Sequence, residues 1–286
     1  MLPTSLKTAL ARGFWNRGHL HGGVPTWMHE PAVRAAINER VTGSPDVWPI
    51  DWLRNRLNGR VFERAASLGC GTGALERDLL SKGICRSLVG FDLSPQALDI
   101  ARTLAENAGL SGVRYEEADL NRIVLPEGGY DAAFFHQSLH HVEELDHCLS
   151  QVARALPPGG LVYFDEYVGP SRDDWNPELL AEAEVVYAAL PRSLRRRRHL
   201  QLPVDWRDPS EAVRSAKILD AIARHLVIEE KRDYGGNLLS VIHPHLRLEG
   251  APAEDRRSVL TELVAAERRL LEAGTKSFYS VIVASA

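Results

Sequence analysis

Several groups of residues in this chain have types and spacings suited to chemistry. Gly69, Gly71 and Gly73 alternate at the end of the run Ala66-Ser67-Leu68-Gly69-Cys70-Gly71-Thr72-Gly73. A turn without Cβ atoms lets a ligand lie against main-chain N–H groups and the positive end of a following helix. Asp92 and Asp119 each follow a later apolar run, where a carboxylate can accept hydrogen bonds. His140 and His141 carry imidazoles whose ordinary pKa of about 6.5 suits proton transfer from a hydroxyl or amine. Glu166 and Tyr167 close another apolar run and are expected to face a substrate, and Arg172 is placed to bind a substrate carboxylate or phosphate. Blander readings stand beside these: a tight turn that binds nothing, histidines packed under the next helix, loop-anchoring bonds at Glu166 and Tyr167, and an arginine on the surface.

The elements that must position these groups follow from periodicity. Arg64 to Leu68 is a short apolar strand, and Ala74 to Ser81 a helix with Leu75, Leu79 and Leu80 on one face. Ser87 to Phe91 is a second strand ending at Asp92, and Ser94-Pro95 caps a helix stopped by Gly109. Val113 to Ala118 leads to Asp119. Tyr130 to Phe135, nearly free of charge, reads as a central strand leading into His136-Gln137-Ser138-Leu139-His140-His141 and a helix from about 143 to 156. Gly160 to Phe164 is the fifth strand, followed by Asp165-Glu166-Tyr167. Strands alternating with helices predict a doubly wound, mostly parallel α/β sheet with ligands at the carboxyl ends.

Regularity then lapses. Residues 166–210 read as an insertion, with Arg195 to Arg198 on a solvated helix end and a loop at Pro203-Val204-Asp205-Trp206. A helix is expected over Glu211 to His225, a sixth strand over Leu226 to Tyr234, and a second insertion over 235–276. The latter holds an amphipathic helix from about 253 to 273 and, in an extended segment, His243 and His245, which lack a third metal ligand. The strand Ser277 to Ala284 closes the sheet antiparallel to the sixth, making seven strands with the last reversed. Residues 1–60 form a helical cap containing Trp15, Trp27, Trp48 and Trp52, with His19, His21, Gly22 and Gly23 between the first two. The core is then 61–286, its insertions at 166–210 and 235–276 forming a lid on the acceptor side.

With 286 residues, 44% of them hydrophobic, and a net charge of -4, the chain can bury a core and has no global attraction for nucleic acid or an anionic membrane. A small-molecule partner is expected, with a homodimer among the assemblies open to it. Cys70, Cys85 and Cys148 are too few and scattered for a disulfide framework or a metal site. The absence of a signal-like or membrane-spanning apolar run predicts a cytoplasmic address.

The glycine turn with Asp92 also fits a dinucleotide-binding fingerprint. Asp119, the His140-His141 turn and the reversed last strand separate the two readings. Over roughly residues 61–165, and in the pattern of its tail, the chain resembles the class I S-adenosylmethionine-dependent methyltransferases of the small-molecule group. The resemblance implies that the cofactor's methionine portion lies on Gly69, Gly71 and Gly73, its ribose hydroxyls on Asp92 and its adenine amino group on Asp119. Cys70, Leu93, Leu120 and the Gln137 backbone are further expected cofactor contacts. It implies methyl transfer to oxygen or nitrogen of a small acceptor; by their place after the fourth and fifth strands, His140, His141 and Glu166 are then the expected catalytic residues, with Tyr167 and Arg172 on the acceptor. A cofactor-binding enzyme that does not transfer methyl, or a non-catalytic cofactor-binding module, is the alternative. One position departs from the family: an acid is usual two residues before the first glycine, where this chain has Ser67. The partner of the cofactor's ammonium group is therefore sought elsewhere, first among the N-terminal helices.

Overall fold

Alternation along the strands divides the apolar residues between two faces of one sheet. In β4 (Ala132–His136), Ala132 and Phe134 join one core layer while Ala133 and Phe135 join the other. In β5 (Leu161–Tyr167), Tyr163 joins the first layer, and Val162 and Phe164 the second. A computed structural model describes residues 4–18, 26–175, 177–202 and 204–286. His19, His21, Gly22, Gly23 and Pro203, named above, lie outside the described residues.

The other strands are β1 (Phe62–Leu68), β2 (Cys85–Asp92), β3 (Val113–Glu117), β6 (Val227–Gly235) and β7 (Tyr279–Ser285). They form a seven-stranded sheet in the order β3-β2-β1-β4-β5-β7-β6. All neighbours are parallel except β7, which runs antiparallel to both β5 and β6. The reversed last strand is thus as expected, and it also separates β6 from β5. Leu68 pairs with Phe91 on one side and Phe135 on the other, so the turns after β1, β2 and β4 begin at one level. The chain order reverses between β1 and β4, the place where an open α/β sheet leaves a crevice.

Helices α1 (Thr4–Gly18), α2 (Pro31–Thr42) and α3 (Pro49–Arg56) precede the sheet. Next come α4 (Ala74–Ser81), α5 (Pro95–Asn107) and α6 (Leu145–Ala155). Ser94 caps α5 by accepting the Ala97 N–H at 3.1 Å. After β5 lie α7 (Pro177–Ala189), α8 (Ile218–His225), α9 (Leu239–Ile242) and α10 (Ala253–Glu272). None of the described helices is long and apolar enough to cross a membrane.

Three readings of the tail need correction. The helix expected from Glu211 begins only at Ile218, because Asp208 ties the Ser210 N–H into a turn at 2.8 Å and Ala212 takes a left-handed φ of 48°. The Arg195–Arg198 run is not helical: Arg195 bridges to Leu246, and the Arg196 Nε donates to the Leu246 carbonyl. His243 and His245 lie on a 3-10 turn, where His243 meets Glu30 and His245 meets the Gln201 carbonyl.

Candidate functional site

The turns after β1 to β4 converge on a cavity of about 330 Å³. Gly69, Cys70, Gly71, Asp92, Leu93, Asp119, Leu120, Gln137 and His141 all line it, within the size range of small-molecule sites. Gly69 holds a left-handed φ of 76°, and a Cβ there would lie 2.4 Å from the Ser138 Cβ, so the turns after β1 and β4 can touch only with glycine. Gly73 does not line the cavity; a Cβ on it would lie 2.3 Å from the Tyr115 hydroxyl.

Asp92 accepts the Gly71 N–H on one oxygen and the Ser94 N–H on the other, both at 2.8 Å. Each oxygen keeps a lone pair for a further donor. Asp119 accepts from the Asn121 N–H and side-chain amide at 3.0 Å, and from the Thr8 hydroxyl of α1 at 3.1 Å. Gln137 takes a left-handed φ of 52°, a strained conformation for a residue with a side chain, and its amide is committed to Asp165 and Tyr234. Burial pushes the Cys70 thiol well up, with the charges of Glu76 and Asp92 adding to the effect.

Ser67 is not without an acid. Its hydroxyl donates to Glu76 in the first turn of α4, which does not line the cavity. Glu76 is fully buried, its second carboxyl oxygen has no hydrogen-bond partner, and burial raises its pKa to about 7.

The adjacent histidines differ sharply. His140 is buried away from the cavity, with Nδ1 2.9 Å from Glu166. The Glu166 carboxylate also accepts the Ser138 and Leu139 N–H groups at 2.6 Å. Burial opposes charge on both partners, yet the bond and charge between them prevail: His140 is raised and Glu166 lowered. His141 lines the cavity, and burial followed by the charge of His140 lowers its pKa, leaving a neutral imidazole at neutral pH. One histidine is thus bonded to a buried carboxylate, and the other lines the cavity.

The residues expected to face an acceptor are placed differently. Glu166 is 0% exposed and faces the His140 turn. Tyr167 is buried among His140, Phe278 and Tyr279, its hydroxyl donating to the Pro170 carbonyl at 2.9 Å. Arg172 donates to the Asp208 carbonyl at 3.0 Å and stacks over Trp206. None of the three lines the cavity.

The outer wall lies where the helical cap and the 166–210 lid are expected, but its residues, Lys7, Thr8, Ala11 and Trp15 of α1 with Pro209, Ser210 and Val213, are not singled out as site residues from sequence. No periodic signal marks residues 208–213, although Asp-Pro-Ser is a turn-forming tripeptide. No described residue of 235–276 lines the cavity; α9 and α10 supply Leu239, Ile242, Leu260 and Leu263 to the core layer that holds Val33 and Ile37 of α2. His140, His141 and Glu211 bring ligand atoms within 4.8 Å of one another, a grouping not singled out by a reading that expected no metal.

Comparison with known proteins bears on this geometry. Residues 66–164 match a family model described as a methyltransferase domain. The demethylmenaquinone methyltransferase of Thermus thermophilus is 33% identical over 110 residues, 38% of this chain and 50% of that protein. The 27-O-demethylrifamycin SV methyltransferase of Amycolatopsis mediterranei is 27% identical over 157 residues, 52% of each. The chain thus spans about half the length of the curated relatives it matches. Among solved structures, the geranyl diphosphate C-methyltransferase of Streptomyces coelicolor, in complex with Mg2+, geranyl diphosphate and S-adenosyl-L-homocysteine, aligns with a TM-score of 0.57. That alignment covers 99% of each chain at 16% identity, a likeness of fold.

Proposed function

We propose that this chain, a member of the class I S-adenosylmethionine-dependent methyltransferases, moves the cofactor's methyl group to an oxygen or nitrogen of a small-molecule acceptor. The observation that carries the reading is a neutral imidazole, His141, lining the same cavity as Asp92, Asp119 and the glycine turn. The residues fit the cofactor. Asp92 keeps acceptor capacity for vicinal ribose hydroxyls, and Asp119, a carboxylate on the cavity wall, would take the adenine amino group. At Gly71 an added Cβ would meet nothing within 4 Å, so the turn leaves room for the methionine portion.

When bound, the sulfonium supplies an electrophilic methyl carbon. The chain's own residues then need to hold the acceptor in line and receive its proton. His141 is suited to that second task because it lines the cavity and its pKa is held below the ordinary value, whereas His140 is buried away from the cavity and bonded to Glu166. Glu166 acts through His140, not on the acceptor. α1 and residues 208–213 form the wall nearest the acceptor and therefore bear on its selection. The curated relatives' names refer to demethylmenaquinone and 27-O-demethylrifamycin SV, and small molecules of these two kinds make a first acceptor panel.

Incubating the protein with methyl-labelled S-adenosylmethionine and fractionated metabolite extracts tests the reading. A labelled small molecule is expected, and the labelled atom names the acceptor group. A cofactor that binds tightly while no fraction takes up label would count against transfer to small molecules.

A further inference from the structure

We infer that Asp208, together with Ser210, is a positioning pair for His141, holding its proton on Nδ1 so that Nε2 is the atom left to accept a proton in the cavity. The inference rests on the reading of His141 as the base and extends it to a turn that no strand or motif marks.

The geometry is specific. Ser210 Oγ lies 2.6 Å from Asp208 Oδ1, to which it donates, and 3.3 Å from His141 Nδ1. A hydroxyl whose proton goes to the carboxylate has only lone pairs for the imidazole, so Nδ1 is the donor. The other Asp208 oxygen, on a side chain that is 0% exposed, has no hydrogen-bond partner and stands 3.5 Å from the same Nδ1. A buried carboxylate oxygen left unpaired is costly unless a donor or a positive charge comes to it. The Nδ1–H of the neutral ring already faces that oxygen, and a positive charge joins it when Nε2 accepts a proton.

The turn is itself held in place. Arg172 donates from its guanidinium to the Asp208 carbonyl at 3.0 Å and from its backbone N–H to the Ala212 carbonyl at 2.9 Å. The remaining groups facing His141 are Glu211, with an oxygen 4.0 Å from Nδ1, the His140 ring at 4.1 Å between centroids, Glu166 behind that ring, and the edge-on indole of Trp15. The carboxylates favour the imidazolium and His140 opposes it. In the step, the acceptor oxygen or nitrogen bonds to the methyl carbon, the carbon–sulfur bond breaks with its electron pair going to sulfur, and the acceptor's proton passes to Nε2. The resulting imidazolium has the carboxylates of Asp208 and Glu211 on its Nδ1 side.

The test does not need the acceptor. Nitrogen-15 NMR of the full chain in EDTA, with the His141 signals assigned by their loss in His141→Gln, reports tautomer and pKa directly. The wild type is expected to carry its neutral proton on Nδ1. Asp208→Asn should dissolve that preference and lower the His141 pKa by about one unit, as expected for loss of an opposite charge at this range. Ser210→Ala, which leaves the carboxylate in place, should shift the tautomer less and serves if Asp208→Asn does not fold. A wild-type proton on Nε2, an unchanged tautomer and pKa in the folded variants, or a divalent cation whose removal by EDTA changes the tautomer would overturn the inference. S-Adenosylmethionine affinity, measured by calorimetry on the same samples, tests the cofactor reading separately.

Discussion

The two walls of the cavity are built by different means. The inner wall consists of the turns after β1 to β4, launched from paired strands at one level and tied by backbone hydrogen bonds, such as those from the Gly69 and Cys70 N–H groups to the Phe91 carbonyl. The outer wall consists of α1 and residues 208–213, held to the inner wall by side chains: Lys7 to Glu143, Thr8 to Asp119, Ser210 to His141. A wall fixed by a sheet preserves its geometry through many sequence changes, whereas one fixed by single polar contacts can be remodelled a residue at a time. On the proposed reading, the inner wall takes the cofactor and the outer one selects the acceptor.

His140 and His141 lie at the junction, and the largest expected effect separates them. His141→Gln should slow methyl transfer by about 10²–10⁴-fold, the usual worth of a general base, while calorimetry shows the cofactor binding as before. Equal transfer by this variant would remove the chemical role from the cavity histidine. Glu166→Gln should instead cost about 3 kcal/mol in denaturant unfolding, because it removes the buried carboxylate that pairs with His140 and accepts the Ser138 and Leu139 N–H groups.

The pH dependence of that pair has a definite sign. Glu166 is held below its ordinary 4.5, so its contribution is present above that pH and drains as pH falls through the lowered value. His140 is raised above 6.5, so its contribution is complete below 6.5 and is lost as pH rises through the raised value. Thermal melts of wild type and Glu166→Gln across pH should therefore differ most between those limits and converge outside them.

On the inner wall, Asp92→Ala should weaken S-adenosylmethionine binding about 100-fold, since two charge-assisted bonds to a bound ligand are lost. An unchanged dissociation constant would break the assignment of ribose to that carboxylate. Beneath the same wall, Glu76 favours the folded state when protonated, so its contribution is full below 4.5 and lost as pH rises through about 7. Glu76→Gln should raise stability at pH 8.5 by about 1–2 kcal/mol and leave it little changed at pH 5. The smallest effect belongs to the outer wall: Thr8→Val, which frees one oxygen of Asp119, should change cofactor affinity by less than about fivefold.

Sequence reached the two walls unequally for the same physical reason. The strands and α4 and α5 follow from period, glycines and the Ser94-Pro95 cap, all of them local signals, and they carry Gly69, Asp92 and Asp119 to the cavity. Period two also says that Asp165 and Glu166 point to opposite faces. It does not say which turn covers each face, and the Ser138 and Leu139 N–H groups that hold Glu166 come from another strand's end. The acid beside Ser67 was legible only in three dimensions, since α4 folds back to bring Glu76 under β1. Residues 208–217 contain helix-forming types, yet Asp208 and the left-handed Ala212 hold a turn there that no local preference announces.

The most direct test of methyl transfer from this cavity is the yield of S-adenosylhomocysteine measured against modified acceptor, once a labelled product has identified that acceptor. One molecule of S-adenosylhomocysteine per molecule of product is the expected result. Product that accumulates while S-adenosylmethionine remains intact would contradict the account.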